Sequence, residues 1–333
     1  MIKILFLLLT CVSALALGAL YIPPDEFYIA GVLTLGIPFL MLGTAIALLY
    51  FAIKKSRWVW APIVVIVFFL VQVQGIFSLG LHKEDTSDRT PVKIISYNVN
   101  ALNYFGKPGV YMQTLNTFSA WLGKVRPDIV CLQETVPANF YKILPSYYRY
   151  FSGKETLEGD SLGLFIISRY PIALAGKREF AFNSFNRMIW TDIVINHDTI
   201  RVINVHLKSY NFYKASKLRK LKNIKGGLMA RSYHAKLIRE FIEESPYKVI
   251  LCGDLNEPPH SYVYHTLSQP LHNAFEDAAT GYAYTYTFMG SPVRIDNIFA
   301  SKGISFCDYK TYYDVTLSDH FPIETSIVLQ DPD

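Results

Sequence analysis

The stretch Lys248-Val249-Ile250-Leu251-Cys252-Gly253-Asp254-Leu255-Asn256-Glu257-Pro258 sets the reading of this 333-residue chain. Lys248–Leu251 is a short, β-branched and apolar run of the kind that forms a buried strand. A glycine and a set of polar residues follow at once. Working outward, Val92–Tyr97, Asp128–Leu132, Gly163–Ser168, Thr191–Ile195, Ile200–Val205, Arg294–Ala300 and Thr325–Leu329 read as strands too. Thr114–Lys124 and Ser232–Glu243 carry apolar residues at three-to-four spacing and read as helices. The mixture predicts an α/β domain with sheets covered by helices. In such folds, polar residues just past strand ends gather at one rim.

Those residues recur along the chain. Asn98 follows the first strand in Ser96-Tyr97-Asn98-Val99, and Gln133-Glu134 follow the second. A later run ends at Asn204-Val205-His206. Beyond Asp254 come Arg294-Ile295-Asp296-Asn297-Ile298-Phe299 and Leu317-Ser318-Asp319-His320-Phe321-Pro322-Ile323. Each piece alone is ordinary, since a strand-end Asn or an Asp-His pair commonly serves a turn. Their order is not ordinary.

Together they resemble the endonuclease/exonuclease/phosphatase superfamily, which includes deoxyribonuclease I, abasic-site endonucleases, neutral sphingomyelinases and inositol polyphosphate phosphatases. The resemblance spans about Val92 to Leu329, and Gly253–Asn256 and Ser318–Ile323 are its most specific parts. It implies a four-layered α/β sandwich, two packed mixed sheets flanked by helices, with the site at one rim. It also implies Mg²⁺ (Mn²⁺ being possible) as cofactor, and a hard cation of this kind suits oxygen ligands. Glu134 would be the main metal carboxylate, with Asn98 and Asp319 contributing directly or through water. His320 would act as general base on water, or hold the phosphate as a cation. Asp296 would fix its tautomer and support the imidazolium. Asp254 would orient or deprotonate the nucleophile, and Asn256 would donate to a phosphate oxygen. His206 matches the second histidine of the deoxyribonuclease-like and sphingomyelinase-like branches. Arg187 precedes a strand where relatives often place a phosphate-binding arginine, and Asp160 is a candidate partner for His206. Relatives commonly have Tyr at the position of Asn297, a departure that removes no ligand.

The chain before about Leu81 is nearly free of charge, with apolar runs at Ile4–Leu20, Tyr28–Ile53 and Trp58–Leu81. A span needs roughly 20 apolar residues for a hydrocarbon core about 30 Å thick. The second and third runs meet that length and the first is marginal, so residues 1–81 read as an anchor of two to three transmembrane helices. The first run also fits a signal peptide, with Lys3 as basic flank and Ala14-Leu15-Ala16 as cleavage site. Residues 82–90 read as a linker and 91–333 as the catalytic domain. Lys54, Lys55 and Arg57 form the basic loop between runs, and such loops stay cytoplasmic. That places Pro23–Glu26 and the catalytic domain outside, on an integral membrane protein. Intramembrane charges that would suggest transport are missing from the middles of the runs. The cysteines do not read as a disulfide framework, and sequence alone assigns no bridge: Cys11 is in an apolar run, Cys131 and Cys252 sit in strand-like runs, and Cys307 is isolated.

After His206, residues Lys208, Lys214, Lys217, Arg219, Lys220, Lys222, Lys225 and Arg231 occur without an acidic residue among them, beside Tyr210, Phe212 and Tyr213. Basic residues with aromatics suit nucleic acid and equally suit anionic lipid headgroups. The expected substrate is therefore an anionic phosphate ester, a nucleic acid or a phospholipid or inositol headgroup, with no obligate protein partner. The reading from a different class is a catalytically inactive, membrane-tethered binding protein on the same scaffold. Such relatives lose metal or base residues, whereas this chain keeps each matched position.

Overall fold

The computed structural model describes residues 1–72, 75–80, 90–106, 109–136, 140–153, 162–180, 187–210, 216–288 and 290–330. The apolar N-terminal part forms α1 (Ile2–Gly18), α2 (Tyr28–Leu35), α3 (Ile37–Ile53) and α4 (Trp60–Gln72), then a short strand β1 (Ser78–Leu79). The remainder runs β2 (Val92–Asn98), α5 (Val110–Val125), β3 (Ile129–Thr135), β4 (Tyr148–Phe151), β5 (Gly163–Ser168), β6 (Ile172–Glu179), β7 (Arg187–Ile195) and β8 (Asp198–His206). Then come α6 (Lys217–Glu243), β9 (Lys248–Asp254), α7 (Tyr262–Ser268), β10 (His272–Asn273), α8 (Ala274–Ala278), β11 (Thr280–Gly281), β12 (Tyr286–Phe288), β13 (Ser291–Val293), β14 (Asp296–Ala300), β15 (Ile304–Phe306), β16 (Lys310–Thr311) and β17 (Ile323–Leu329).

Two mixed sheets pack face to face. One has the order β15-β17-β2-β3-β5-β4, the other β10-β14-β9-β8-β7-β6. The pairs β2–β3 and β8–β9 are parallel, and the rest antiparallel. Strand alternation assigns the faces. Ile94, Cys131, Ile166, Ile189, Val202, Ile250, Cys252, Ile298 and Ile323 point inward and fill the space between the sheets. Their neighbours Ile95, Tyr97, Val130 and Leu132 point outward onto Leu115, Phe118 and Leu122 of α5. On the other side Ile203, Val205, Val249 and Leu251 meet Ala235 and Ile238 of α6 and Val263 and Leu267 of α7. Helix, sheet, sheet and helix make the four layers.

The strands reach further than their apolar runs do. β2, β3, β8 and β9 continue through Asn98, Glu134, His206 and Asp254, because the hydrogen-bonded ladder extends to those residues. Helix α6 begins fifteen residues before the expected Ser232, at Lys217, and Ser216 Oγ caps it by accepting from Arg219 N at 3.4 Å. Its first turns carry Leu218, Leu221 and Leu228 at helical spacing, but among Lys217, Arg219, Lys220, Lys222 and Lys225 that spacing is not conspicuous.

The N-terminal part also differs from expectation. The first run, counted as marginal, is the one helix among the described residues long and apolar enough to cross a membrane by itself, Ile2–Tyr21. The second run is bent by 58° between α2 and α3, with Pro38 in the first turn of α3. The third run, expected to span, yields only the 13 residues of α4, about 20 Å of helix. Downstream of α4, Ser78 and Leu79 pair with Gly281 and Thr280. Gln72, Gly75 and Ser78 interrupt the apolar pattern, and the chain spends this stretch on the sandwich. Helices α1 and α3 share a small core of Ala16, Leu17, Leu20, Ile37 and Met41, with Val65 of α4, and present Leu5, Phe39, Leu42 and Leu49 outward.

Candidate active site at the sandwich rim

The inward face that is apolar in mid-strand turns polar at one end. In the second sheet, the register pairs Arg187 with His206, His206 with Asp254 and Asp254 with Asp296. These four residues therefore form one straight row across β7, β8, β9 and β14. All have the parity of the buried inward residues, so their side chains point between the sheets. Facing them, Asn98 pairs with Gln133 on the first sheet, followed by Glu134.

The rows meet. Asn98 Nδ2 donates to Glu134 Oε1 at 3.1 Å and to Asp254 Oδ2 at 3.0 Å. His206 Nε2 lies 3.3 Å from Glu134 and 3.7 Å from Asp254. His320 Nδ1 is 2.8 Å from Asp296 Oδ2, and its Nε2 is 3.8 Å from Asp254 Oδ2. Asn256 donates through its backbone N to Asp254 Oδ1 at 2.8 Å and through Nδ2 to Asp254 Oδ2 at 3.1 Å. Asp319 is exposed beside them and accepts from Asn100 Nδ2 at 2.9 Å. The geometry thus brings Asn98, Glu134, His206, Asp254, Asn256, Asp296, Asp319 and His320 to one rim. Arg187 is buried next to His206 and donates to Ser152 O. Asp160 lies outside the described residues.

Burial opposes a charge on His320, but Asp296 and Asp254 outweigh it and hold the imidazole up at about 10. Burial, reinforced by Asp296, pushes the Asp254 carboxyl up, against His320 and His206. Backbone strain marks the same places: Glu134 and Asn256 adopt left-handed φ of 53° and 51°. Gly253 has a φ of 143°, and a Cβ there would stand 2.0 Å from Val205 O. Glycine therefore lets β8 and β9 approach where both carry site residues.

A family model described as the endonuclease/exonuclease/phosphatase family matches residues 95–320. The chain belongs to that family. A second model, described as a domain of unknown function, matches residues 1–76. No curated protein matches the chain. Among solved structures, TDP2 of D. rerio complexed with a single-strand DNA product is 18% identical, with a TM-score of 0.55, covering 72% of this chain and all (100%) of that one. A family protein of Bacteroides vulgatus is 18% identical with a TM-score of 0.56, over 73% of this chain and 100% of the other. The human Nocturnin catalytic domain with bound sulfate is 17% identical with a TM-score of 0.53, over 72% and 95% respectively. At these identities the likeness is one of fold, the phosphoesterase fold of the family.

Enzymes of this family generally depend on a divalent metal, and the donors at this rim fit one. Four carboxylates, Glu134, Asp254, Asp296 and Asp319, converge here, and Asp296 Oδ1 is buried without a hydrogen bond. A hard cation answers such an excess of oxygen donors. Asp254, Asp296 and His320 offer atoms within 4.8 Å of one another. However, the His320–Asp296 hydrogen bond already occupies that pair, which leaves Glu134 and Asp319 the freer donors. Asn98 turns its amide nitrogen, not its oxygen, toward Glu134 and Asp254.

Several supporting residues escaped sequence reasoning. Gln133 Nε2 donates to Asn204 Oδ1 at 2.7 Å, and Asn204 Nδ2 donates to Leu132 O, a polar bridge between the sheets just beneath the site. Their inward parity at strand ends was the available signal. Arg231, one of the run of cations that suits an anionic substrate, is fully buried. It pairs with Glu257 at 2.7 Å, donates to Lys208 O and stacks on Tyr210, so it ties α6 to the loops after His206 and Asp254. The ring of Tyr286 packs 4.7 Å from that of His320. Asn297 accepts from Arg294, which also donates to Gly75 O of the N-terminal part. Asn297 thus helps to hold the arginine that reaches the chain's own N-terminal segment.

Proposed function

We propose that the protein is a membrane-anchored, Mg²⁺-dependent phosphoesterase that hydrolyses an anionic phosphate ester, a nucleic acid or a lipid or inositol headgroup. Residues 1–81 are the anchor, 82–90 a linker and 91–333 the catalytic domain, which lies outside the cytoplasm. The observation that carries this reading is the straight Arg187–His206–Asp254–Asp296 row facing Asn98 and Glu134. Catalysis of phosphoryl transfer asks mainly for positioned charges, and this row supplies them on rigid strands.

Glu134 and Asp319, steadied by Asn98, would hold the cation, which supplies charge neutralisation for the phosphate oxygens. His320 acts as an imidazolium: with its ring held charged, it binds a phosphate oxygen through Nε2 while Nδ1–H donates to Asp296. Of the two roles offered for His320 by the sequence this is the cation, and the base is Asp254 in its role of deprotonating the nucleophile: its buried carboxylate is made more basic and sits 3.8 Å from His320 Nε2. Asp254 takes the proton of the attacking water as its oxygen bonds to phosphorus, the ester P–O bond opposite it breaks and the leaving oxygen takes a proton from solvent, while Asn256 and His206 donate to phosphate oxygens. Arg187, at the end of the row, adds positive charge for the substrate.

The single-strand DNA product in the TDP2 structure supports testing nucleic acid first. The experiment is a phosphoester screen with the full chain in detergent, using single-stranded DNA, sphingomyelin and inositol phosphates with Mg²⁺. Turnover of at least one substrate is expected, abolished by EDTA and reduced to below about a hundredth in Glu134→Ala. Unchanged turnover with EDTA or in that variant refutes the assignment.

A further inference from the structure

We propose that the N-terminal half of α6 is a landing surface for an anionic phospholipid bilayer, an inference that rests on the anchoring proposed above. Helix α6 runs along the N-terminal segment on one face. Ser232 donates to Asp25, and Lys236 pairs with Asp25 at 3.0 Å. Leu228 packs on Gly31, where an added Cβ would come within 3.0 Å of the leucine and 3.1 Å of Pro24. The ammonium of Lys225 stands 4.6 Å over the ring of Tyr28, the first residue of α2.

Among the described residues, none covers the continuation of this face. Leu221 and Leu218 lie four and seven residues before Lys225, a spacing that keeps them on its face, and they are 65% and 80% exposed. Lys217, Arg219 and Lys222 surround them, all exposed, and no acidic residue occurs from Lys208 to Arg239. Among the described residues, none of these cations has a carboxylate partner. Next to this face, α2 and its approach leave Phe27, Ile29 and Val32 exposed. Leucines flanked by cations, on the helix that packs against α2, match acyl chains below anionic headgroups. Unstacked nucleic-acid bases would instead ask for aromatic rings among the cations, and Lys217–Lys225 of the helix contains none. Docked this way, α6 holds the loop after His206 at a set height over the lipid.

The test is amide hydrogen exchange of the full chain in vesicles of phosphatidylcholine alone or mixed equally with phosphatidylglycerol. Peptides covering residues 217–225 are expected to exchange at least about fivefold more slowly in the anionic vesicles. That difference is expected to vanish in Lys217→Gln/Arg219→Gln/Lys222→Gln and to shrink in Leu218→Gln/Leu221→Gln. Equal exchange in the two lipids overturns the proposal, as does slowing produced by single-stranded DNA and not by anionic lipid. Peptides from α1 and α3 report the anchor separately: protection in both vesicles supports it, and free exchange in both defeats the anchor and, with it, this surface.

Discussion

The pair formed by His320 and Asp296 concentrates the chemistry of the site in two side chains, 6% and 1% exposed. The imidazole titrates at about 10 in the fold, against roughly 6.5 for a free histidine. A group raised in this way lends stability that is complete below about 6.5 and lost as the pH climbs through the folded value. In the metal-free protein, Asp296→Asn is therefore expected to cost about 3 kcal/mol near neutral pH, a penalty that fades toward pH 10 in urea titrations. A penalty flat across that range would show that the pair is not charged. Hydrolysis by this variant is expected to fall about a hundredfold or more. The identities of both residues were legible in the sequence, because Asp296 and His320 stand in strings shared with the family. Their protonation was not legible, since it depends on burial and on Asp254 arriving from the neighbouring strand β9. Arg231 makes the converse case: it looks like one more cation in a basic stretch, and only packing turns it into the buried partner of Glu257.

Strands carry the site because their ladders run one or two residues past the apolar stretch. Reading β9 as ending at Leu251 left Asp254 in a loop, whereas it is paired with both His206 and Asp296. Hydropathy marks where a strand is buried among apolar neighbours and is silent on where its hydrogen bonds stop. Gly253 is the element-level hinge of this arrangement. Replacing it by alanine places a Cβ against Val205 O and demands a φ that L-residues avoid. Gly253→Ala is expected to destabilise the domain by about 3 kcal/mol or more, measured by thermal or urea unfolding, because β8 and β9 must part. A variant as stable as the parent would mean that the strands tolerate separation there. Helix α6 repeats the lesson from the other side. Its C-terminal half buries Ala235, Ile238 and Ile242 on the sheet, whereas its basic half turns Leu218 and Leu221 to solvent.

At the scale of the whole molecule, the N-terminal helices and the sandwich are not separate bodies on a string. Asp25 binds Ser232 and Lys236, Gly75 O accepts from Arg294, and β1 adds to β11. If α3 spans a bilayer, the loop holding Asp25 and the sandwich must then share one side, with Lys55 on the other. Introduced cysteines at Glu26 and Lys302, in a background without Cys11 and Cys307, are expected to react together with an impermeant thiol reagent on intact cells. A cysteine at Lys55 should react only after permeabilisation. Labelling at Lys55 alone on intact cells would invert the topology, and labelling of Lys302 together with Lys55 would mean that α3 does not separate them. Sequence by itself determined the fold class, the strand-end residues and the apolar character of the first 81 residues, because periodicity and short polar strings are local properties. Tertiary structure alone decided which apolar run is long enough as a helix, which cation is buried, and that the Arg187–His206–Asp254–Asp296 row is straight. Each of those depends on register between segments far apart in the chain, and register is set by packing two sheets together, which no single segment encodes.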